Sequence, residues 1–223
     1  MNIFINALSA RLGGGQTYLR NLLQHVPQGI GLRVFVLVQP SFQLNDLPSN
    51  VERLEKSFLE NPFLRGIWEE VFLSGLLKKL NIDLFFSPGG LLPKSLPTKI
   101  LTAVTFQNML PFDHLQRKKY RYGYRWFRDF ILERGLSSSM CRADLIIFIS
   151  EFAEKFIKTK LKGLQGQSIV APHGIHHSFR VDIESPLARP VWLPEGDYFL
   201  YVSYIDNYKA QLEVVRDFMT YVQ

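Results

Sequence analysis

The sequence predicts an α/β chain: a doubly wound sheet of parallel strands, followed by the first β-α unit of a second domain of the same kind. Three observations carry this. Short apolar runs alternate with segments of helical periodicity along most of the chain. The strand-like runs are apolar almost throughout, as at Leu32, Val34, Phe35, Val36, Leu37 and Val38, which is how a strand reads when helices cover both faces of its sheet. The strand-then-helix pattern then starts again at Tyr198, after a stretch that carries Pro186, Pro190 and Pro194.

Taken in order, Asn2–Asn6 is a short β-prone strand, and Gly13, Gly14 and Gly15 follow it as a glycine-rich loop. Residues 16–26 place Tyr18, Leu19, Leu22, Leu23 and Val26 at helical spacing. Residues 31–38 make a buried strand, 40–50 a loop, and 51–56 a short edge strand. Leu64, Ile67, Trp68, Val71, Phe72, Leu76 and Leu80 recur every three or four residues, which predicts one amphipathic helix. Residues 82–86 are a strand stopped by Ser87-Pro88-Gly89-Gly90, and residues 100–106 are another. Residues 143–149 form an apolar strand, Ser150 caps a helix with Glu151 in its first turn, and residues 168–171 are a short strand broken at Pro172. The expected division is a first domain over 1–180, a linker over 181–197 and the beginning of a second domain over 198–223.

Composition narrows the setting. Of 223 residues, 47% are hydrophobic and 21% charged, which is enough apolar material for a real core. The lone cysteine, Cys141, excludes a disulfide within the chain and favours a cytoplasmic location and a packing role. No signal peptide is expected from the N-terminus, and no apolar run approaches the ~20 residues of a membrane span. A net charge of +6 favours anionic partners such as phosphates, nucleic acid or an acidic lipid surface.

Open α/β sheets bind ligands just beyond the carboxyl ends of their strands. Four stretches fall there: Gly13–Gly15, Ser87–Gly90, the run from Gln107 and Asn108 to Phe112, and Ser150-Glu151; His173-Gly174 follows the last strand of the first domain. A helix that starts after glycines offers free N–H groups and a positive dipole end, which suits a phosphate or a sugar hydroxyl. The glycines also read simply as a turn, since neither the dinucleotide fingerprint nor the Lys-Ser/Thr of a P-loop is present. An NAD-type dehydrogenase is disfavoured further because Gln39 and Pro40, not an acid, end the 32–38 strand.

In order and spacing these pieces resemble the retaining nucleotide-sugar glycosyltransferases of the B-type fold, the group 1 glycosyltransferases. The resemblance runs through the double glycine, the polar pair before Leu110-Pro111-Phe112, the run Ala143 to Phe152, Val170 to Ile175, and Tyr201 to Lys209. It implies two Rossmann-like domains facing across a cleft, with the acceptor mainly on the first and the nucleotide-diphosphate sugar on the second. Transfer would proceed with retention, with no metal or other cofactor, and with cations and backbone amides stabilising the diphosphate leaving group. The partners implied are a nucleotide sugar and a saccharide or lipid-linked saccharide acceptor of polysaccharide biosynthesis; nucleic acid is not expected. Gly14 and Gly15 match the double glycine near the donor phosphates. Gln107 and Asn108 stand where many members carry His-Asp; Gln107 could hydrogen-bond a hydroxyl but not relay a proton. His173 either lines the cleft or shapes the turn, and Lys209 either contacts the diphosphate or is a solvated helix lysine. His114 is an alternative cleft histidine or a solvated one. The paired glutamates of the second domain are expected beyond Gln223, so the chain alone is expected to be an inactive fragment. A non-catalytic module for a phosphorylated ligand or nucleic acid is the alternative.

Residues 111–142 mix cations (Arg117, Lys118, Lys119, Arg121, Arg125, Arg128, Arg134) with Tyr120, Tyr122, Tyr124, Trp126, Phe127 and Phe130. Such a mixture suits an acidic membrane surface, which would make the protein peripheral on the inner face of the membrane, or single-stranded nucleic acid. The plain alternative is a surface helix that turns Tyr120, Tyr124, Phe127 and Ile131 inward.

Overall fold

The structure, a computed structural model, describes residues 1–10, 13–43, 46–120, 123–175, 188–193 and 195–221. It divides into two compact units, Met1–His173 and Gly174–Gln223. In the first unit the chain runs β1 (Asn2–Asn6), α1 (Gly14–Gln24), β2 (Arg33–Val38), β3 (Val51–Glu55), α2 (Pro62–Val71), α3 (Leu73–Lys79), β4 (Leu84–Ser87), β5 (Leu101–Phe106), α4 (His114–Lys118), α5 (Tyr124–Arg142), β6 (Leu145–Phe148), α6 (Glu151–Lys160) and β7 (Gln167–Val170). The seven strands form one sheet in the order β3-β2-β1-β4-β5-β6-β7, and every pairing is parallel. The strand order reverses direction at β1 and β4, which makes this a doubly wound, Rossmann-like sheet.

Successive strand residues point to opposite faces, so both faces need apolar side chains. Phe4, Phe35 and Phe85 are aligned in register and enter the core shared with Trp68, Leu73, Leu77, Leu136, Met140 and Ile157. Their neighbours Ile5, Val36 and Phe86 enter the other core, beneath Leu19 and Leu23 of α1.

Four elements differ from the sequence expectation. The glycines do not all precede the helix. Gly14 and Gly15 are already its first turn, and Gly13 alone adopts positive φ, at 61°. The predicted 64–80 helix is two helices that break at Phe72. Its buried residues are Trp68, Leu73 and Leu77. The five-residue step from 68 to 73 turns too far for one straight helical face, so a break is needed to bury both.

The third difference is the orientation of α5. Tyr124, Phe127 and Ile131 point outward, with 80%, 57% and 52% of their surface exposed, while Asp129, Leu136, Ser139 and Met140 face the sheet. The fourth lies in the second unit. Residues 198–203 form no strand among the described residues, because a lone extended segment has no neighbouring strand to pair with. Helix α7 (Gln211–Tyr221) is present. Of the expected 181–197 linker, residues 181–187 and 194 lie outside the described residues, and 188–193 and 195–197 form no helix or strand. Among the described residues, no helix is long and apolar enough to cross a membrane.

Candidate functional site

The carboxyl ends of β1, β4 and β5 enclose a cavity of about 220 Å³ beside the point where the strand order reverses. Ser9, Ala10, Gly15 and Tyr18 come from the β1–α1 connection, Pro88 and Gly89 from the turn after β4, and Thr105 to Asn108 from the end of β5. Leu132 and Leu136, one turn apart on α5, form the facing apolar wall.

The loops that shape this cavity are held from below. Asn6, at the end of β1, is buried and donates from Nδ2 to Glu69 Oε1 at 2.7 Å. Glu69 also accepts from Arg65 Nε at 2.9 Å. Gln39 Nε2 donates to the Leu8 carbonyl at 3.1 Å. The residue standing where a dinucleotide fold would put a ribose-binding acid is therefore occupied in fixing the first loop.

Glycines make the closest approaches. A Cβ on Gly89 would lie 2.2 Å from Ser9 Oγ. Gly90, at φ 83°, closes the turn, and a Cβ there would lie 2.8 Å from Leu136 Cδ2 and 3.1 Å from the Thr105 carbonyl. The first two ligand-side loops and α5 thus meet through positions that tolerate no side chain.

The polar groups of the cavity are neutral. Gln107 is half-buried and Asn108 exposed. Asn108 Oδ1 accepts from Leu110 N at 3.1 Å, which pins the turn after β5. Thr105 is 2% exposed, and its Oγ1 has no partner at full hydrogen-bond geometry. Burial is the main influence on the Tyr18 hydroxyl and pushes its pKa up; the Thr105 side chain offsets part of that rise. The Tyr18 ring meets the edge of His173 at 5.0 Å. No charged side chain among the described residues lines the cavity.

The cavity therefore brings together Gly15, Gly89, Gln107 and Asn108, with His173 one ring away through Tyr18. Gly13 and Gly14 belong to the adjoining N-terminus of α1, where no described side chain supplies a cap. Ser150 and Glu151 have local partners instead. Ser150 Oγ accepts from Ala153 N at 3.2 Å as the cap of α6, and Glu151 pairs with Lys155 at 3.7 Å. Lys209 belongs to the second unit, where its ammonium lies over the rings of Tyr208 and Tyr204, at 4.9 and 5.9 Å.

The basic stretch is likewise divided by the fold. Arg117 is buried, not a surface cation. It donates from Nη1 to Glu133 Oε2 at 2.6 Å and lies over the rings of Trp126 and Phe130. His114 Nε2 and Lys160 Nζ approach Glu133 Oε1 at 2.9 and 3.1 Å. One carboxylate thus ties α4, α5 and α6 together. Burial pulls the Glu133 carboxyl upward, but hydrogen bonds from His114, Arg117 and Lys160 outweigh it and hold its pKa at about 2. Lys118 and Lys119 are exposed; Arg121 lies outside the described residues. Among those residues, no three His, Cys, Asp or Glu side chains are placed to hold a metal.

Ser9, Ala10, Tyr18, Thr105, Phe106, Leu132 and Leu136 are the cavity residues that sequence reasoning did not place at the site. Tyr18 was hidden among apolar helix positions, and Leu132 and Leu136 carry no local signal. Thr105 had one available signal, a hydroxyl residue next to the end of a strand that is apolar but for Thr102.

A cavity at the carboxyl rim, beside the reversal of strand order, places the chain in the class of doubly wound α/β proteins, which as a class carry their ligand sites at that position. Within that class the chain belongs to Glycosyltransferase Family 4, whose model matches residues 12–179. No curated protein matches the chain. Among solved structures it is similar to the sucrose-phosphate synthase of Thermosynechococcus elongatus, with a TM-score of 0.51 and 12% identity, over 80% of this chain and 49% of that one. That likeness concerns the fold, and the chain spans about half the length of that enzyme.

Proposed function

We propose that the chain supplies the acceptor-side wall of a glycosyl-transfer site. The reaction we infer moves a sugar with retention from a nucleotide-diphosphate sugar to a saccharide or lipid-linked saccharide, in polysaccharide biosynthesis and without a metal. The observation that carries this reading is the cavity at the ends of β1, β4 and β5, where hydroxyl and amide groups face an apolar wall in a chain of this family. Gln107 and the Asn108 amide donate to and accept from sugar hydroxyls. Neither titrates near neutrality, so their role is positioning and not proton transfer. Donor phosphates would sit nearest the N-terminus of α1, where backbone N–H groups and the helix dipole favour negative charge. Ligand-detected NMR on the chain, with a panel of saccharides and nucleotide sugars, tests the reading. Saturation transfer to saccharide protons, weakened by Gln107→Ala, is the expected result. Absence of transfer to every saccharide and every nucleotide sugar would refute it.

A second feature favours a peripheral location on an acidic membrane. Tyr124, Phe127 and Ile131 form an exposed row on α5, with Arg128 and Arg134 beside them. Rings and aliphatic groups at headgroup level flanked by cations suit such a surface. Liposome flotation with and without acidic lipid tests this; failure to float at any salt concentration removes it.

A further inference from the structure

We propose that the outer face of α2 is a contact between two copies of this chain, packed antiparallel about a two-fold axis near Ile67.

A row of apolar side chains meets water along this helix. Phe63, Leu64, Ile67 and Val71 follow at steps of one, three and four residues, which puts them on one side of α2. They expose between 43% and 74% of their surface. The opposite side serves the fold: Trp68 is buried, and Arg65 and Glu69 pair at 2.9 Å with most of their surface covered. Phe58, in the turn Ser57–Glu60 before α2, and Phe72, at the end of α2, are exposed as well. At ~200 Å² for a whole large side chain, these six leave roughly 600 Å² of apolar surface in water, the upper end of what a monomer shows on its largest patch.

Three features select a second copy as the occupant. The first is area. Two such faces brought together bury about 1,200 Å², where specific interfaces begin. The second is shape. The row is wide at its N-terminal end, where Phe63 and Leu64 stand, and narrow at Val71. An antiparallel copy sets the wide end of each row against the narrow end of the other. Rows of i and i+4 residues on two helices interdigitate in the commonest class of helix packing. The third is charge. α2 carries one cation, Arg65, which Glu69 holds, and one further acid, Glu70, which accepts from Lys94 N and Ser95 N at 3.0 and 3.1 Å. An acidic lipid surface therefore finds no unpaired cation on α2, unlike the α5 row with Arg128 and Arg134 beside it.

Sedimentation velocity of the chain between about 5 and 200 µM, a range suited to a contact at the small end of specific interfaces, reads the association. The chain is expected to be a dimer at the upper end. In a two-fold contact, position 67 faces its own counterpart. Ile67→Glu and Ile67→Lys each set two like charges together and should each weaken the dimer at least about tenfold. An equimolar mixture of these two variants should associate again. Phe63→Glu, at another exposed position of the row, should also weaken the dimer, and Phe127→Glu, on the α5 row, should dimerise as wild type does. Circular dichroism melts check that each variant is folded. A chain that stays monomeric at about 200 µM, a dimer that survives the charged residues at 67, a mixture that stays monomeric, or a dimer lost in Phe127→Glu would each overturn the proposal. Flotation of a monomeric chain on phosphatidylcholine vesicles, lost in Ile67→Glu, would overturn it too and assign the face to lipid. None of these outcomes bears on the glycosyl-transfer reading, which saccharide and nucleotide-sugar binding tests separately.

Discussion

Replacing Glu133 by Gln removes the charge that joins α4, α5 and α6 while keeping the shape of the side chain. Glu133 and Arg117 are 16% and 10% exposed and meet at 2.6 Å, so the change leaves a nearly buried guanidinium without its counter-charge. The drop of the Glu133 pKa from its ordinary 4.5 to about 2 sets a ceiling of ~3 kcal/mol on the stability it contributes at neutral pH. Lys160 and His114 are 28% and 50% exposed, and water screens their share. About 2 kcal/mol is the resulting expectation, or a fall of roughly 4–8 °C in melting temperature for a unit of this size. The pH dependence has a definite sign. A carboxyl held low in the folded state stabilises fully above its unfolded pKa of 4.5 and loses that contribution as pH falls toward about 2. Wild type and Glu133→Gln should therefore differ most at pH 7, and the gap should shrink by about half at pH 3. Urea denaturation of both proteins at pH 7, 5 and 3 measures it. A gap that is absent at pH 7, or equally large at pH 3, would show that the clasp is not electrostatic.

Four further substitutions probe the rim of the sheet. Gly13→Ala forces a side chain into φ 61° and should cost about 1 kcal/mol, whereas Gly14→Ala, in the first turn of α1 with nothing within 4 Å, should be neutral or stabilising by up to ~1 kcal/mol in the same melts. Gly89→Ala sets a methyl 2.2 Å from Ser9 Oγ, so Ser9, which lines the cavity, must shift; saccharide binding should weaken with the helical circular dichroism kept. Ser150→Ala deletes the bond to Ala153 N and should cost about 1 kcal/mol by chemical denaturation, with saccharide affinity unchanged.

Much of the sheet was legible because a strand buried on both faces is apolar almost throughout: residues 34–38 are apolar at every position, and only Thr102 and Thr105 interrupt residues 101–106. The glycine and proline stops at residues 87–90 were legible for a related reason: their backbone conformations restrict which residues can stand there. The inward face of α5 was not legible. Its aromatics have a helical spacing that fits burial as well as exposure, and the choice rests on Arg117 and His114 of α4 and Lys160 of α6 converging on Glu133. The break at Phe72 was hidden in the same way, since the heptad-like spacing continues through it while the buried set does not.

By itself, the sequence determined that this chain would wind apolar strands between helices and place polar, glycine-rich turns where the strands end. These are consequences of local conformation and of which residues water rejects. Only the tertiary structure decided that Tyr18, Thr105, Leu132 and Leu136 would share one neutral cavity with Gly89 and Gln107. Their meeting depends on strand order and helix rotation, which are settled by contacts between residues far apart in the chain.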